Sequence, residues 1–345
     1  MTSMQRFVVI GLDHRHIYDL TAGLLEAGLD CAGYWPETSD KRVLEGFQKR
    51  FPELTAVADK AALLADPSAG IMVCAAIPRD RAALAIAAMH RGKDVLMDKP
   101  GVTTADGLVA LEQAVAETGR IFSVSFSERF LVPSTLAALR LIRAGEIGRV
   151  VQTTGLGPHR LNKALRPAWF FDPAAYGGIL CDIASHQIDQ FLVFSGSDDA
   201  AIITSTVGSF DDPRAPGHQN FGEILMRSAS ASGYCRVDWF TPDGLPTWGD
   251  GRLTVVGTEG TIELRKYLDI EGRAGTDHLF LSNTAGTRYV DCSTEPMTYF
   301  TDFARDCRER TETVMRQSHV FTVCRLAIAA QAQATRITLP GGMPQ

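Results

Sequence analysis

At 345 residues the chain is long for a single hydrophobic core and suits two domains. Apolar residues at 45% and charged residues at 21% are ordinary for a soluble globular protein, and a formal charge of −6 leaves no basic footprint for nucleic acid or an anionic membrane. The seven cysteines (Cys31, Cys74, Cys181, Cys235, Cys292, Cys307, Cys324) are scattered with no Cys-x-x-Cys pair, and no signal peptide or membrane-length apolar run is seen; this reads as reduced thiols in a cytoplasmic protein.

The first third alternates strands and helices. Phe7-Val8-Val9-Ile10-Gly11 is a buried strand closed by glycine. Leu20, Leu24 and Leu25 stripe a helix that Gly28 ends, and Asp30 to Tyr34 is the second strand. Lys41 to Phe51 reads as a helix, Thr55 to Val57 as a short strand and Lys60 to Leu64 as a short helix. Ile71 to Ala76 is a buried strand stopped by Pro78, followed by an alanine-rich helix from Arg81 to Arg91. Val95-Leu96-Met97 is the next strand, Thr103 to Thr118 a helix capped by Thr104 or Asp106, and Ile121 to Val124 the last strand of the pattern. Such alternation predicts a doubly wound parallel sheet of the Rossmann type over residues 1–125.

From about residue 126 to 345 the pattern predicts an α+β domain with a large, mostly antiparallel open sheet. Pro133 to Ala144 is a helix, and Val150 to Thr154 a strand. Strand-like runs follow at Ala201–Gly208, Asn220–Arg227, Ser232–Phe240, Arg252–Val256, Thr261–Arg265, His278–Ser282 and Thr287–Asp291. Thr298–Arg308 and Val314–Thr335 read as closing helices.

Two stretches carry chemistry. Lys93 to Pro100 is a strand ending in Asp98-Lys99-Pro100, which leaves Lys99 at a strand's carboxyl end, where open α/β sheets place ligands. Tyr176 to Phe191 begins with Gly177-Gly178 and continues as one helix whose buried stripe is Ile179, Ile183, Ile188 and Phe191. Asp182 and His186, four residues apart, share a neighbouring face, so the carboxylate can orient the imidazole and raise its basicity. A solvated lysine and a core histidine are the plain alternatives.

Together the stretches resemble the Gfo/Idh/MocA oxidoreductase family: Asp98-Lys99-Pro100 matches its Glu-Lys-Pro motif, and Gly177 to His186 matches Gly-Gly-x-x-x-Asp-x-x-x-His. Gly257 to Glu263 supports the likeness, which covers nearly the whole chain. The resemblance implies hydride transfer between NAD or NADP and a secondary alcohol, with Lys99, Asp182 and His186 catalytic. It also implies homodimers or homotetramers joined through the second domain's sheet. His186 would take the hydroxyl proton, Lys99 would hold the reacting oxygen, and Asp182 would position substrate hydroxyls or His186.

The cofactor loop departs from Gly-x-Gly-x-x-Gly. It reads Gly11-Leu12-Asp13-His14-Arg15-His16, with Asp13 and His16 in place of the second and third glycines. Asp13 brings negative charge toward a pyrophosphate unless it turns back to cap backbone N–H groups; Arg15, His14 or His16 would offset it. The acid expected after the second strand is replaced by Tyr34-Trp35-Pro36-Glu37. Glu37 is the nearest candidate for the ribose hydroxyls and tips the reading to NAD, Trp35 is a candidate to stack on adenine, and Lys41 or Arg42 to face a 2′-phosphate. Ala76, Pro78, Asp98 and Lys99, at strand ends, complete the cofactor-binding candidates. His14-x-His16 invites a metal reading, but no third ligand is signposted nearby and none is expected.

Gly157 to Asp172 carries Arg160, Lys163, Arg166 and Trp169, and in the resembled family this loop faces the substrate. Arg160 and Arg166 suit a carboxylate through paired donors, and Trp169 suits the apolar face of a sugar. Thr247 to Arg252 is either a pocket edge or, on Asp250-Gly251 alone, a hairpin turn; the turn is preferred. The expected activity is oxidation of a sugar, polyol or sugar acid, with oxidoisomerisation within reach. A redox-neutral lyase or hydrolase using bound NAD, and a non-catalytic sugar-binding protein, are the alternatives.

Overall fold

Four consecutive apolar residues cannot present one face to water, so Phe7–Ile10 has to be covered on both sides. In a computed structural model, which describes residues 5–210 and 217–337, all four have no exposed surface. They lie in strand β1 (Arg6–Leu12), which is followed by α1 (Ile17–Glu26), β2 (Asp30–Tyr34), α2 (Lys41–Arg50), α3 (Lys60–Ala65) and β3 (Ile71–Ala75). Next come α4 (Arg81–Met89), β4 (Asp94–Asp98), α5 (Ala105–Thr118) and β5 (Phe122–Ser125). The five strands pair in parallel in the order β2-β1-β3-β4-β5, with Phe7, Val8 and Val9 in register with Ile71, Met72 and Val73. The order reverses between β1 and β3, so a crevice opens beyond their carboxyl ends.

Local signals set the ends of these helices. The Thr104 side chain accepts the Gly107 N–H at 3.1 Å to start α5, and Gly119 ends it in the left-handed region at φ 61°. Asp40 and Asp59 cap α2 and α3 in the same way. The Thr55–Val57 strand is not formed; only Ala56 makes a single bridge, to Tyr34.

The chain divides into two compact units. The first runs to Ser125 and takes in Thr298–Cys324; the second comprises Phe126–Met297 and the residues from Arg325. The boundary after Ser125 falls where the strand–helix alternation stops. Residues 298–324, which the sequence pattern left in the second domain, group with the first because Arg310 forms an ion pair with Asp94 of β4 at 2.7 Å and Gln317 accepts the Phe122 N–H at 2.9 Å.

The second unit contains α6 (Ser127–Phe130), α7 (Pro133–Arg143), β6 (Val150–Pro158), α8 (Pro173–Tyr176), α9 (Ile179–Asp182) and α10 (Ala184–Ser195). Then come β7 (Ala201–Gly208), β8 (Phe221–Arg227), β9 (Ser232–Asp238), β10 (Arg252–Gly257), β11 (Gly260–Arg265), β12 (His278–Asn283) and β13 (Gly286–Val290). After α11 (Tyr299–Glu309) and α12 (Gln317–Gln333) the described chain ends in β14 (Thr335–Ile337). The nine strands order as β13-β12-β11-β10-β6-β9-β8-β7-β14 and are mostly antiparallel, with β6–β9 and β7–β14 parallel. Burial alternates along β6, β8 and β9, so one face is core and the other is not. On the core face Gly155 and Gly157 let Gln187 of α10 lie close; a Cβ on Gly155 would stand 2.9 Å from its Cγ. Strand β14 has no counterpart in the sequence pattern, where only Thr335 falls at the end of a helix; three residues are too few for alternation to show.

Candidate active site

In the first unit the candidate residues gather beyond the ends of β1, β3 and β4. Gly11 has φ +87°, and a Cβ there would stand 2.6 Å from the Ala76 Cβ and 2.8 Å from the Ala76 nitrogen. The surviving glycine is thus required by the close approach of two strand ends. Gly11→Ala is expected to destabilise the chain by about 1–3 kcal/mol, the usual cost of such backbone strain, and to weaken NADH binding; urea unfolding and tryptophan fluorescence titration read the two effects.

Asp13 turns back. Its Oδ1 accepts the Ser39 N–H and hydroxyl, each at 2.6 Å, and Thr38 donates to the Leu12 carbonyl at 2.6 Å. The negative charge that replaces the second glycine therefore ties the β1 end to the turn after β2. Trp35 is half-buried and has the Lys60 ammonium 4.3 Å over its ring, so one face is already covered. Glu37, Lys41 and Arg15 are exposed, and Arg42 pairs with Asp40 at 3.0 Å.

The densest feature is around Asp98, which is 2% exposed. His16 Nδ1 lies 2.8 Å from Asp98 Oδ1 and His14 Nδ1 3.3 Å from Oδ2, while Arg81 Nη2 donates to Oδ2 at 2.9 Å. Arg81, 1% exposed, also donates to the carbonyls of Ala76 at 2.7 Å, Asp98 at 2.7 Å and Pro100 at 2.8 Å. One guanidinium thus clamps the end of β3 to both sides of Lys99, itself 6% exposed, in the segment with a cis Lys99–Pro100 bond. Burial would raise the Asp98 carboxyl, but the His16 and Arg81 charges outweigh it and hold it well below the usual range. Burial and then His16 push the His14 imidazole down to about 3, so it is neutral at pH 7.

His14, His16 and Asp98 offer three ligand-type atoms within 4.8 Å of one another, a third member that sequence proximity did not reveal. The Arg81 guanidinium on the same carboxylate opposes a second cation, so the group works as a network of imidazoles, carboxylate and guanidinium. Ala76 and Pro78 are buried at the crevice edge. With the Asp13 carboxylate bonded to Ser39 and not left facing a pyrophosphate, these residues fit a dinucleotide.

In the second unit the expected single helix is two. The chain breaks at Ile183 (φ −103°, ψ −47°), between Asp182 at the end of α9 and His186 in the first turn of α10. Both are buried, at 9% and 2% exposed. Arg129 of α6 pairs with Asp189 of α10 at 3.0 Å, and Gln190 donates to the Glu128 carbonyl at 3.1 Å, so α6 is fastened to the helix that carries His186.

The loop cations are committed locally. Arg160 donates to the Pro242 carbonyl at 2.9 Å and to that of Leu245. Arg166 donates to the Leu161 carbonyl at 2.8 Å and lies over Phe170 at 4.3 Å, Trp239 at 5.1 Å and Trp248 at 5.3 Å. The Lys163 ammonium is 5.8 Å over Phe171, and Trp169 is half-buried against Phe170. Thr247 to Arg252 is not a hairpin turn: Gly249 bridges to His159 and Phe240 to Arg160, which builds an edge from three chain segments.

Sequence reading passed over Arg81 and Glu128. Arg81 is the one polar residue in the first turn of an alanine-rich helix, and Glu128 follows the carboxyl end of β5; position at a strand end was the available signal for both.

Two family models match the chain: the NAD-binding Rossmann fold of an oxidoreductase family over residues 37–126, and the GFO/IDH/MocA C-terminal domain over residues 135–263. The chain is 46% identical to a protein of Erwinia carotovora atroseptica SCRI1043 of solved structure, with a TM-score of 0.93, covering 97% of this chain and 100% of that one. It is 28% identical over 210 residues to scyllo-inositol 2-dehydrogenase (NAD(+)) of Bacillus subtilis strain 168, covering 59% of this chain and 57% of that protein. It is 29% identical over 145 residues to levoglucosan dehydrogenase of Pseudarthrobacter phenanthrenivorans, covering 41% of this chain and 37% of that protein. The chain thus spans about half the length of these curated relatives, or less. Among the described residues no helix is long and apolar enough to cross a membrane.

Proposed function

Because the chain belongs to the Gfo/Idh/MocA oxidoreductase family, with an NAD-binding Rossmann domain, we propose that it oxidises a secondary alcohol of a sugar or polyol with NAD. The observation that supports this most is the Arg81 clamp, which fixes the Lys99 segment from both sides at the end of β4. A lysine destined only for solvation needs no such support.

Bound nicotinamide supplies a hydride acceptor. Gly11, His14, His16, Trp35, Ala76 and Pro78 would hold the dinucleotide. His186 removes the hydroxyl proton, and Lys99 donates a hydrogen bond to the reacting oxygen and opposes its growing negative charge. Asp182 orients substrate hydroxyls or the imidazole. The local bonds of Arg160 and Arg166 take donors away from a substrate carboxylate, which favours a neutral polyol over a sugar acid. The names of the two curated relatives, a scyllo-inositol and a levoglucosan dehydrogenase, support the same class.

The test is a panel of myo-inositol, scyllo-inositol, levoglucosan and D-gluconate with NAD and NADP, read at the reduced-nicotinamide absorbance band. Consumption of a panel compound without net reduction would replace this reading with redox-neutral turnover. The proposal includes a cytoplasmic location and a homodimer or homotetramer joined through the nine-stranded sheet, which light scattering after gel filtration tests. The seven cysteines are free thiols, and burial pushes Cys74, Cys235 and Cys324 up to about 12, in keeping with reduced, unreactive sulfur.

A further inference from the structure

Glu128 lies on α6, the short helix fastened to α10. Its Oε1 accepts from Lys266 Nζ at 2.6 Å, and the two side chains are only 17% and 21% exposed. A Cβ on Gly251 would stand 3.9 Å from Oε2, so glycine places no side chain beside that oxygen. The charges of His186 and His159 both act on this carboxyl; burial would raise it, but Lys266 and His186 outweigh burial and bring it to about 2. Glu128 is thus an ionised acceptor at neutral pH. His159 packs edge-on against Trp239 at 5.4 Å and Trp248 at 6.5 Å, rings that Arg166 also engages.

A largely buried ion pair beside a glycine, near an imidazole, matches the chemistry of two adjacent hydroxyls. A carboxylate accepts from one hydroxyl while an ammonium donates to the next. We propose that Glu128 and Lys266 form a recognition pair for a vicinal diol of the substrate: Glu128 Oε2 accepts from one hydroxyl, and Lys266 Nζ donates to its neighbour. The pair sets which polyols are accepted and takes no proton from the reacting carbon's hydroxyl. This assignment rests on the polyol reading of the site given above, yet it is read by binding and not by turnover.

The experiment titrates the full chain, saturated with NADH, with each of the four panel compounds by ligand-observed NMR. Wild type, Glu128→Gln, Lys266→Met, the double variant and Gly251→Val are compared. Loss of a hydrogen bond to a charged group predicts about tenfold to hundredfold weaker polyol binding in each, with NADH affinity unchanged. The double variant leaves no unpaired buried charge, so it keeps the test sound if either single variant unfolds. Unchanged polyol affinity in the folded variants overturns the proposal and makes the pair a structural ion pair. Absence of binding of every panel compound to wild type overturns it too. Binding that the variants lose, without NADH formation by wild type, keeps the recognition pair and removes the dehydrogenase reading.

Discussion

Replacing His186 with asparagine is expected to lower kcat by roughly 10²–10⁴-fold, the usual worth of a positioned general base. The chain should stay folded and bind NADH as tightly as wild type. The side chain is 2% exposed on α10, and asparagine is smaller and still polar, so the substitution removes the proton acceptor without adding volume to the core. The helix itself is held by other means: Asp189 by Arg129 at 3.0 Å, and Gln190 by the Glu128 carbonyl. A fall in kcat with KM little changed would mark an interaction made in the transition state; a rise in KM alone would mark plain substrate binding.

Arg81→Met is expected to cost about 3–5 kcal/mol of stability, the range for leaving a buried charge without its partner. Asp98 would keep the two imidazoles but lose the permanent cation, and the carbonyls of Ala76, Asp98 and Pro100 would lose their donor. Among folded molecules kcat should fall as well, since the segment holding Lys99 is no longer clamped; Arg81 is a positioning residue. The pH dependence has a defined sign. In wild type the Asp98 carboxyl sits below its unfolded value of about 3.9, so its stabilisation is complete above that pH and disappears as pH falls through the folded value. The deficit of the variant should therefore be full at pH 7 and narrow below about pH 4, as protonation removes the stranded charge. Urea unfolding across that range measures it.

How much of this was legible beforehand depended on how local each cause is. The parallel sheet was, because runs such as Phe7–Ile10 and Ile71–Ala75 are apolar on both faces and end at Gly11 and Pro78. The open sheet was, because β6, β8 and β9 alternate. The break at Ile183 was not, since Ile179, Ile183 and Ile188 keep a helical stripe on either side of it. The fate of Asp13 was left open between charge and cap; only the fold brings Ser39 within 2.6 Å of it. The partners of Arg160 and Arg166 were not legible, because a loop cation shows only its charge in sequence, whereas the carbonyls and rings that engage them lie up to 85 residues away. The Asp98 network joins residues 14, 16, 81 and 98, and no spacing rule connects those positions.

The most direct measurement is NADH formation by the full chain with NAD and the polyol panel, run alongside His186→Asn and Lys99→Met, with NADH affinity measured for all three by fluorescence. The account predicts turnover by wild type with at least one polyol, and loss of turnover in both variants while the nucleotide still binds. Folded variants that bind NADH and oxidise the same polyol at the wild-type rate would contradict it.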